Sequence, residues 1–171
     1  MGLAKGLQKI FIPALLLGTL LAAGPATAQT PSCEERRLDN PPRVMVDCGG
    51  GILIEREAAV EMGFISATGG AAIEVNSGAV LVEVDAAQGG FQIRTPQAIA
   101  TVRGTIYAVD VSDGHTAVFV ERGVVEVAPI EGGEAATLQA GEGVDVTPGE
   151  PLVVREWGAG RVAELMARFG R

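Results

Sequence analysis

After residue 9 the chain has no lysine, and its 171 residues include one histidine, one tryptophan and one tyrosine. Each scarcity excludes something. Lys5 and Lys9 sit at the start, so beyond them 11 arginines stand against 21 acidic residues, formally −10. So acidic a surface argues against nucleic acid and anionic lipid as partners. Aromatics make up 4% of the chain while Val and Gly abound, which suits short strands and turns better than a helical bundle. The lone His115 lies in Asp113-Gly114-His115, a hairpin-turn setting, and offers little for acid–base work. There is no nucleophile elbow, no H-E-x-x-H, and no glycine loop followed by Lys-Ser or Lys-Thr. Asp110-x-Ser112-Asp113-Gly114 lacks the spacing and closing glutamate of a calcium loop and reads as a turn. No catalytic, cofactor or metal site is expected.

The first 28 residues read as an address. Lys5 and Lys9 are positive, Ile10–Ala23 is apolar, and Ala26-Thr27-Ala28 is a small-x-small cleavage site, the order of a secretory signal peptide. The apolar run is too short for a membrane span, and no later segment reaches the ~18 apolar residues one needs. The expected product begins near Gln29, is periplasmic or secreted, and has no stable membrane span. Its roughly 143 residues suffice for one core. Cys33 and Cys48 are the only cysteines. In an oxidising compartment they are expected to form a disulfide, stabilising by ~3 kcal/mol in the chain-entropy model. Without a C-x-x-C spacing or helper histidines, a redox or metal role is disfavoured. The enclosed Asp39-Asn40-Pro41-Pro42 is a turn signal, so residues 29–51 are expected to form a stapled hairpin or loop.

The remainder is organised around Phe91–Val111. Phe91 and Ile93 alternate with Gln92 and Arg94, and Pro96 places an edge, corner or bulge after them. From Ala98 to Val109 both alternating sets have few polar positions, which predicts a strand buried on both faces, with Arg103 its one charge. Upstream, Ile52–Ile54 starts a strand, and Glu55–Phe64 fits either a short helix or a return to strand. Ala72–Gly78 and Ala117–Gly123 share the pattern A-[IV]-x-V-x-x-G, and Val82-Glu83-Val84 matches Val125-Glu126-Val127. Two such copies suggest stacked coils. Val162, Leu165, Met166 and Phe169 then mark one stripe of a C-terminal helix over 155–171, with Glu164 and Arg168 as an i,i+4 pair. A cap on the end of the β roll is preferred to a partner-docking helix.

The string T-P-x-A-x-A-x-V-R-G-T-x-Y-x-V at Thr95–Val109 resembles the FecR domain family of the bacterial periplasm. Its carriers are Thr95, Pro96, Val102, Arg103, Gly104, Thr105 and Tyr107, and the later L-x-A-G-E at Leu138–Glu142 resembles the same family. The resemblance implies a domain over about 52–154 and a β-solenoid-like roll. The residues themselves fit that roll or a small β-sandwich, all-β in either case. It also implies envelope signalling through a protein partner. The cytoplasmic helical domain and membrane helix of FecR-type sensors do not follow the signal peptide here. Three functions therefore stay open: an interaction or signalling module, an envelope scaffold, and a small-ligand-binding roll.

Arg103-Gly104 admits two readings. In one, Arg103 is presented on a rigid strand to a carboxylate of a partner. In the other, Gly104 permits a bulge or close approach while Arg103 packs its stem on Tyr107 and bonds backbone carbonyls. Two unusual residues inside an apolar strand favour the structural reading.

Overall fold

Two sheets share out the apolar residues of this chain in the computed structural model, which describes residue 2, residues 33–67 and residues 70–171. The first has eight strands, numbered in chain order and set side by side as β1 (Glu34–Asp39), β2 (Pro42–Asp47), β3 (Ile52–Glu57), β6 (Gly78–Val84), β9 (Thr105–Ser112), β10 (His115–Arg122), β13 (Glu142–Val146) and β14 (Arg155–Glu156). The second has six: β12 (Ala136–Gln139), β11 (Val124–Pro129), β8 (Ala98–Val102), β7 (Gly90–Arg94), β5 (Gly70–Val75) and β4 (Met62–Ala67). Every second residue faces inward, and the two inner faces meet in one core. Val46, Ile54, Val80, Val82, Tyr107 and Val118 of the larger sheet pack with Ile73, Phe91, Ile93, Val125 and Leu138 of the smaller.

The all-β class and the single C-terminal helix agree with expectation, and the arrangement of the sheets is sandwich-like. A stack of coils would pair equivalent strands in parallel within one sheet. Among the described residues only β5 and β7 pair in parallel. The two copies of A-[IV]-x-V-x-x-G lie on β5 and β10, in different sheets. Each copy instead marks a crossing from one sheet to the other, at Gly78 and Gly123, both with positive φ. The pattern repeats a corner, and the solenoid coil it suggested is not what it builds.

The strand and the break at Pro96 are as expected, but the single strand expected from Ala98 onward is two. β7 and β8 form a hairpin in the smaller sheet, and the chain then turns at Arg103-Gly104 into β9 of the larger one. The inward set therefore changes parity at the corner, from Ala98, Ala100 and Val102 to Thr105, Tyr107 and Val109. Glu55–Phe64 is strand, turn, strand; the helical alternative is wrong there. The Cys33–Cys48 disulfide is present and closes the open end of the β1–β2 hairpin. Residues 3–32, with the expected signal peptide and cleavage site, lie outside the described residues.

A third layer covers the larger sheet. The helix α1 (Ala159–Ala167) and the turn after it set Leu165, Met166 and Phe169 on Ala79, Leu81, Ala108 and Phe119. This explains why β6 and β9 carry apolar residues on both faces: one side meets the smaller sheet and the other meets the helix. Fully burying a side chain such as Leu81, Leu165, Met166 or Phe169 contributes ~1.5–3 kcal/mol. The helix packs intramolecularly, as preferred, but across a sheet face and not over the end of a roll. Glu164 does not take Arg168, whose partners are on the sheet.

Candidate functional site

The family motif runs from one end of the sandwich to the other, and its residues can be assigned duties one by one. At the β7–β8 turn, Thr95 is buried and its Oγ accepts the Ala98 amide at 2.9 Å. Thr116 Oγ donates to Gln97 Oε1 at 2.8 Å, which leaves Thr95 the donor in its 2.8 Å bond to Thr116. Pro96, which has no N–H to offer a ladder, occupies the turn. Ala98, Ala100 and Val102 enter the core.

At the far end the chain crosses between sheets. Gly104 has φ +67, and a Cβ there would stand 2.9 Å from Ala86 Cβ. Both facts require glycine. The neighbouring corner, Arg122-Gly123, nests against it: a Cβ on Gly123, where φ is +94, would meet Gly104 O and Thr105 Oγ at 2.8 Å. Thr105, fully buried, ties the two corners together by donating to Val124 O at 3.1 Å. Tyr107 then turns into the core, where burial raises its phenol pKa well above the ordinary value and its hydroxyl finds no partner among the described residues. Leu138–Glu142 is explained in the same way. Leu138 is in the core, Gly141 makes the turn with φ +88, and Glu142 accepts the Gln139 amide at 2.7 Å.

One motif residue has no such duty. Arg103 is exposed, and its guanidinium makes no hydrogen bond or ion pair among the described residues. It neither bonds carbonyls nor packs on Tyr107, which is inside the core, so the structural reading of Arg103 is corrected. The corner borders a hollow of about 700 Å³ lined by the Gly49–Gly51 turn, Asp85, Ala86, Gly104 and Arg122. Arg122 is itself exposed and among the described residues pairs only with Glu83, at 3.5 Å. The site is thus an open end of the sandwich with two arginines outside the core.

A second arginine group, which sequence reasoning missed, fastens the helix layer to the larger sheet. Arg168 donates to Glu57 at 2.6 and 2.8 Å and to Asp110 at 2.7 Å. Arg171 reaches Glu55 at 3.1 Å, and Arg43 reaches the same carboxylate at 2.9 Å. Arg161 pairs with Asp145 and lies 3.5 Å over the Trp157 ring, which stacks on Phe119. The hydrogen bond from Arg168 holds Glu57 below the usual carboxylate pKa, against the effect of burial. Glu57 in turn raises the Arg168 pKa. Partners 111 residues apart leave no local signature. His115 stands beside this seam at the start of β10, bordering a hollow of about 440 Å³ with Asp110 and Arg161. Among the described residues no three side chains are grouped to hold a metal ion, and no helix is long and apolar enough to cross a membrane.

The geometry defines a two-sheet, helix-backed β domain whose central motif builds one end of the sandwich and presents there an arginine with no partner among the described residues. Residues 46–126 match the family model described as FecR protein, in agreement with the resemblance read from the motif. Two crystal structures of a protein from Parabacteroides distasonis ATCC 8503, described provisionally as an anti-sigma factor, are similar to this chain. The one at 1.65 Å resolution has a TM-score of 0.54 at 21% identity, and the one at 2.50 Å has 0.49 at 20%. Each likeness covers 78% of this chain and 59% of that one, so the chain spans less than two thirds of their length. At such identity the likeness is one of fold. A search of curated proteins finds no match.

Proposed function

We propose that this chain is a non-catalytic, exported FecR-domain module that takes part in envelope signalling by binding a protein partner through the Arg103 corner. The observation that carries this reading is Arg103 itself. Every other residue of the motif is used by the turn, the corner or the core, so its guanidinium is left for recognition. An exposed, rigidly mounted arginine suits a carboxylate, to which it donates in bidentate fashion. The FecR match supports a signalling role and an envelope location, and the disulfide is at home in an oxidising compartment. The expected segments, a leader over 1–28, a stapled segment over 29–51, the domain over 52–154 and the helix over 155–171, go with this reading. Ligand binding inside the sandwich is less favoured, because Tyr107, Phe91, Ile54 and Ile93 fill the space between the sheets.

The test is photo-cross-linking in cells that export the protein, with the reactive residue at the exposed Ala87 beside the corner and, as control, at Glu131 at the other end. A discrete adduct from position 87 alone, abolished by Arg103→Glu in a protein that still folds, supports the proposal. Equal labelling from both positions, or an adduct indifferent to Arg103→Glu, refutes it.

A further inference from the structure

Four strands lie at the edges of the two sheets, and three of them carry a device against pairing. β1 has five charged residues in six and is tied by the disulfide. β14 is two residues long, both charged. β12 has four residues, and the amide of its last, Gln139, is taken by Glu142. The remaining edge, β4, is six residues long with the sequence MGFISA, and it contains no charge and no proline. It pairs with β5 on one side, and no described strand pairs with it on the other. An uncharged edge of this length presents a row of open backbone donors and acceptors, the usual template for adding a strand.

We infer that β4 is a self-association edge, at which a second copy of this chain adds its own β4 antiparallel and joins the two smaller sheets into one. Four considerations favour a second copy. A two-fold axis normal to the sheet sets Phe64 opposite Phe64 or Ile65 opposite Ile65, and either register keeps inner and outer faces aligned across the junction. Met62 and Phe64 pack against the core, so the core of one copy would continue into that of the other. The alternate positions Gly63, Ile65 and Ala67 face outward and are small or apolar, so they do not obstruct close approach. The chain beyond its first nine residues is formally −10, so two copies meeting elsewhere bring like charges together. At β4 there is no charge to oppose them.

The experiment is sedimentation velocity of the exported chain from about 1 to 200 µM, beside a variant with Gly63→Lys and Ile65→Lys. A Cβ at Gly63 meets nothing within 4 Å, so the first change leaves the fold undisturbed. Gly63→Lys alone is the fallback if the double variant melts lower. The parent should dimerise reversibly, and the charged edge should raise the dissociation constant at least about tenfold without lowering the melting temperature. Thr137→Lys, on edge β12, should dimerise like the parent. A parent that stays monomeric overturns the inference, even if a strand of another protein takes the edge. A β4 variant that dimerises as the parent does, or a β12 variant that falls apart equally, also overturns it.

Discussion

Arg168 and Arg103 are the same side chain in opposite circumstances. Arg168 reaches from the turn after the helix to two carboxylates on two strands, at 2.6–2.8 Å, and is two-thirds buried. Arg103 stands at a sheet-to-sheet corner, exposed, with no partner among the described residues. The seam around Arg168 is a stability device: apolar packing brings the charges together, and the charges fix where the helix lies. At the corner, stability comes from backbone shape, supplied by Gly104, Gly123 and Thr105, and the charge is left over. Burial and pairing tell a structural arginine from an available one, where residue type does not.

The sharpest break is at the corner's backbone. Gly104→Val should cost at least about 3 kcal/mol, because a β-branched residue is strained at φ +67 and its Cβ would press on Ala86. Urea denaturation reads this directly. A cost under about 1 kcal/mol would show that the corner relaxes, and that the shape argument for Gly104 is wrong.

The seam should respond next, and in a pH-dependent way. Arg168→Met should destabilise by about 1–2 kcal/mol at neutral pH, since Glu57 and Asp110 lose their hydrogen-bonded cation while remaining half-buried. Glu57 has a pKa below its ordinary 4.5 in the folded protein. Its contribution is therefore complete above about 4.5 and is lost as pH falls through the lowered folded value. The parent should lose more of its melting temperature between about pH 5 and pH 3 than the variant does. Parallel acid limbs would mean that the pair does not couple to folding.

These two regions differ in how much of them could be read from the residues alone. The corner lies inside a local motif, so its position, its glycine and its recognition candidate were all visible. What hid the two sheets was arithmetic: Arg103-Gly104 interrupts the alternation by a turn that spacing alone cannot distinguish from one continuous strand. The repeat misled for a related reason, since Gly78 and Gly123 are equivalent as corners although their strands run in opposite sheets. The helix stripe was plain because Val162, Leu165, Met166 and Phe169 follow a 3.6-residue period. Its target was not. Ala79, Leu81, Ala108 and Phe119 are brought together only by pairing β6, β9 and β10, and their carboxylate neighbours carry no mark of which arginine they await.

The motif holds a second polar group without a partner, and it faces the other way. Tyr107 places its hydroxyl in the core with nothing described to receive it. Tyr107→Phe removes that group and keeps the ring, so stability should stay the same or rise by up to about 1 kcal/mol. A fall of similar size in thermal melting would reveal a hydrogen bond that the buried hydroxyl does make.

The smallest expected effect on stability bears most on function. Arg103→Ala removes a side chain with no described contact to lose, and a solvated surface position of this kind changes stability by less than about 0.5 kcal/mol. Its melting temperature should match the parent's, in contrast to Arg168→Met. Arg103→Lys sharpens the point further. It keeps the charge but not the planar fork, so if a partner carboxylate is gripped in bidentate fashion, lysine should restore cross-linking from position 87 only weakly. Full restoration would mean that charge alone is read at the corner. An Arg103→Ala protein that melts as low as Arg168→Met would return Arg103 to the scaffold, and the distinction between the two arginines would fail.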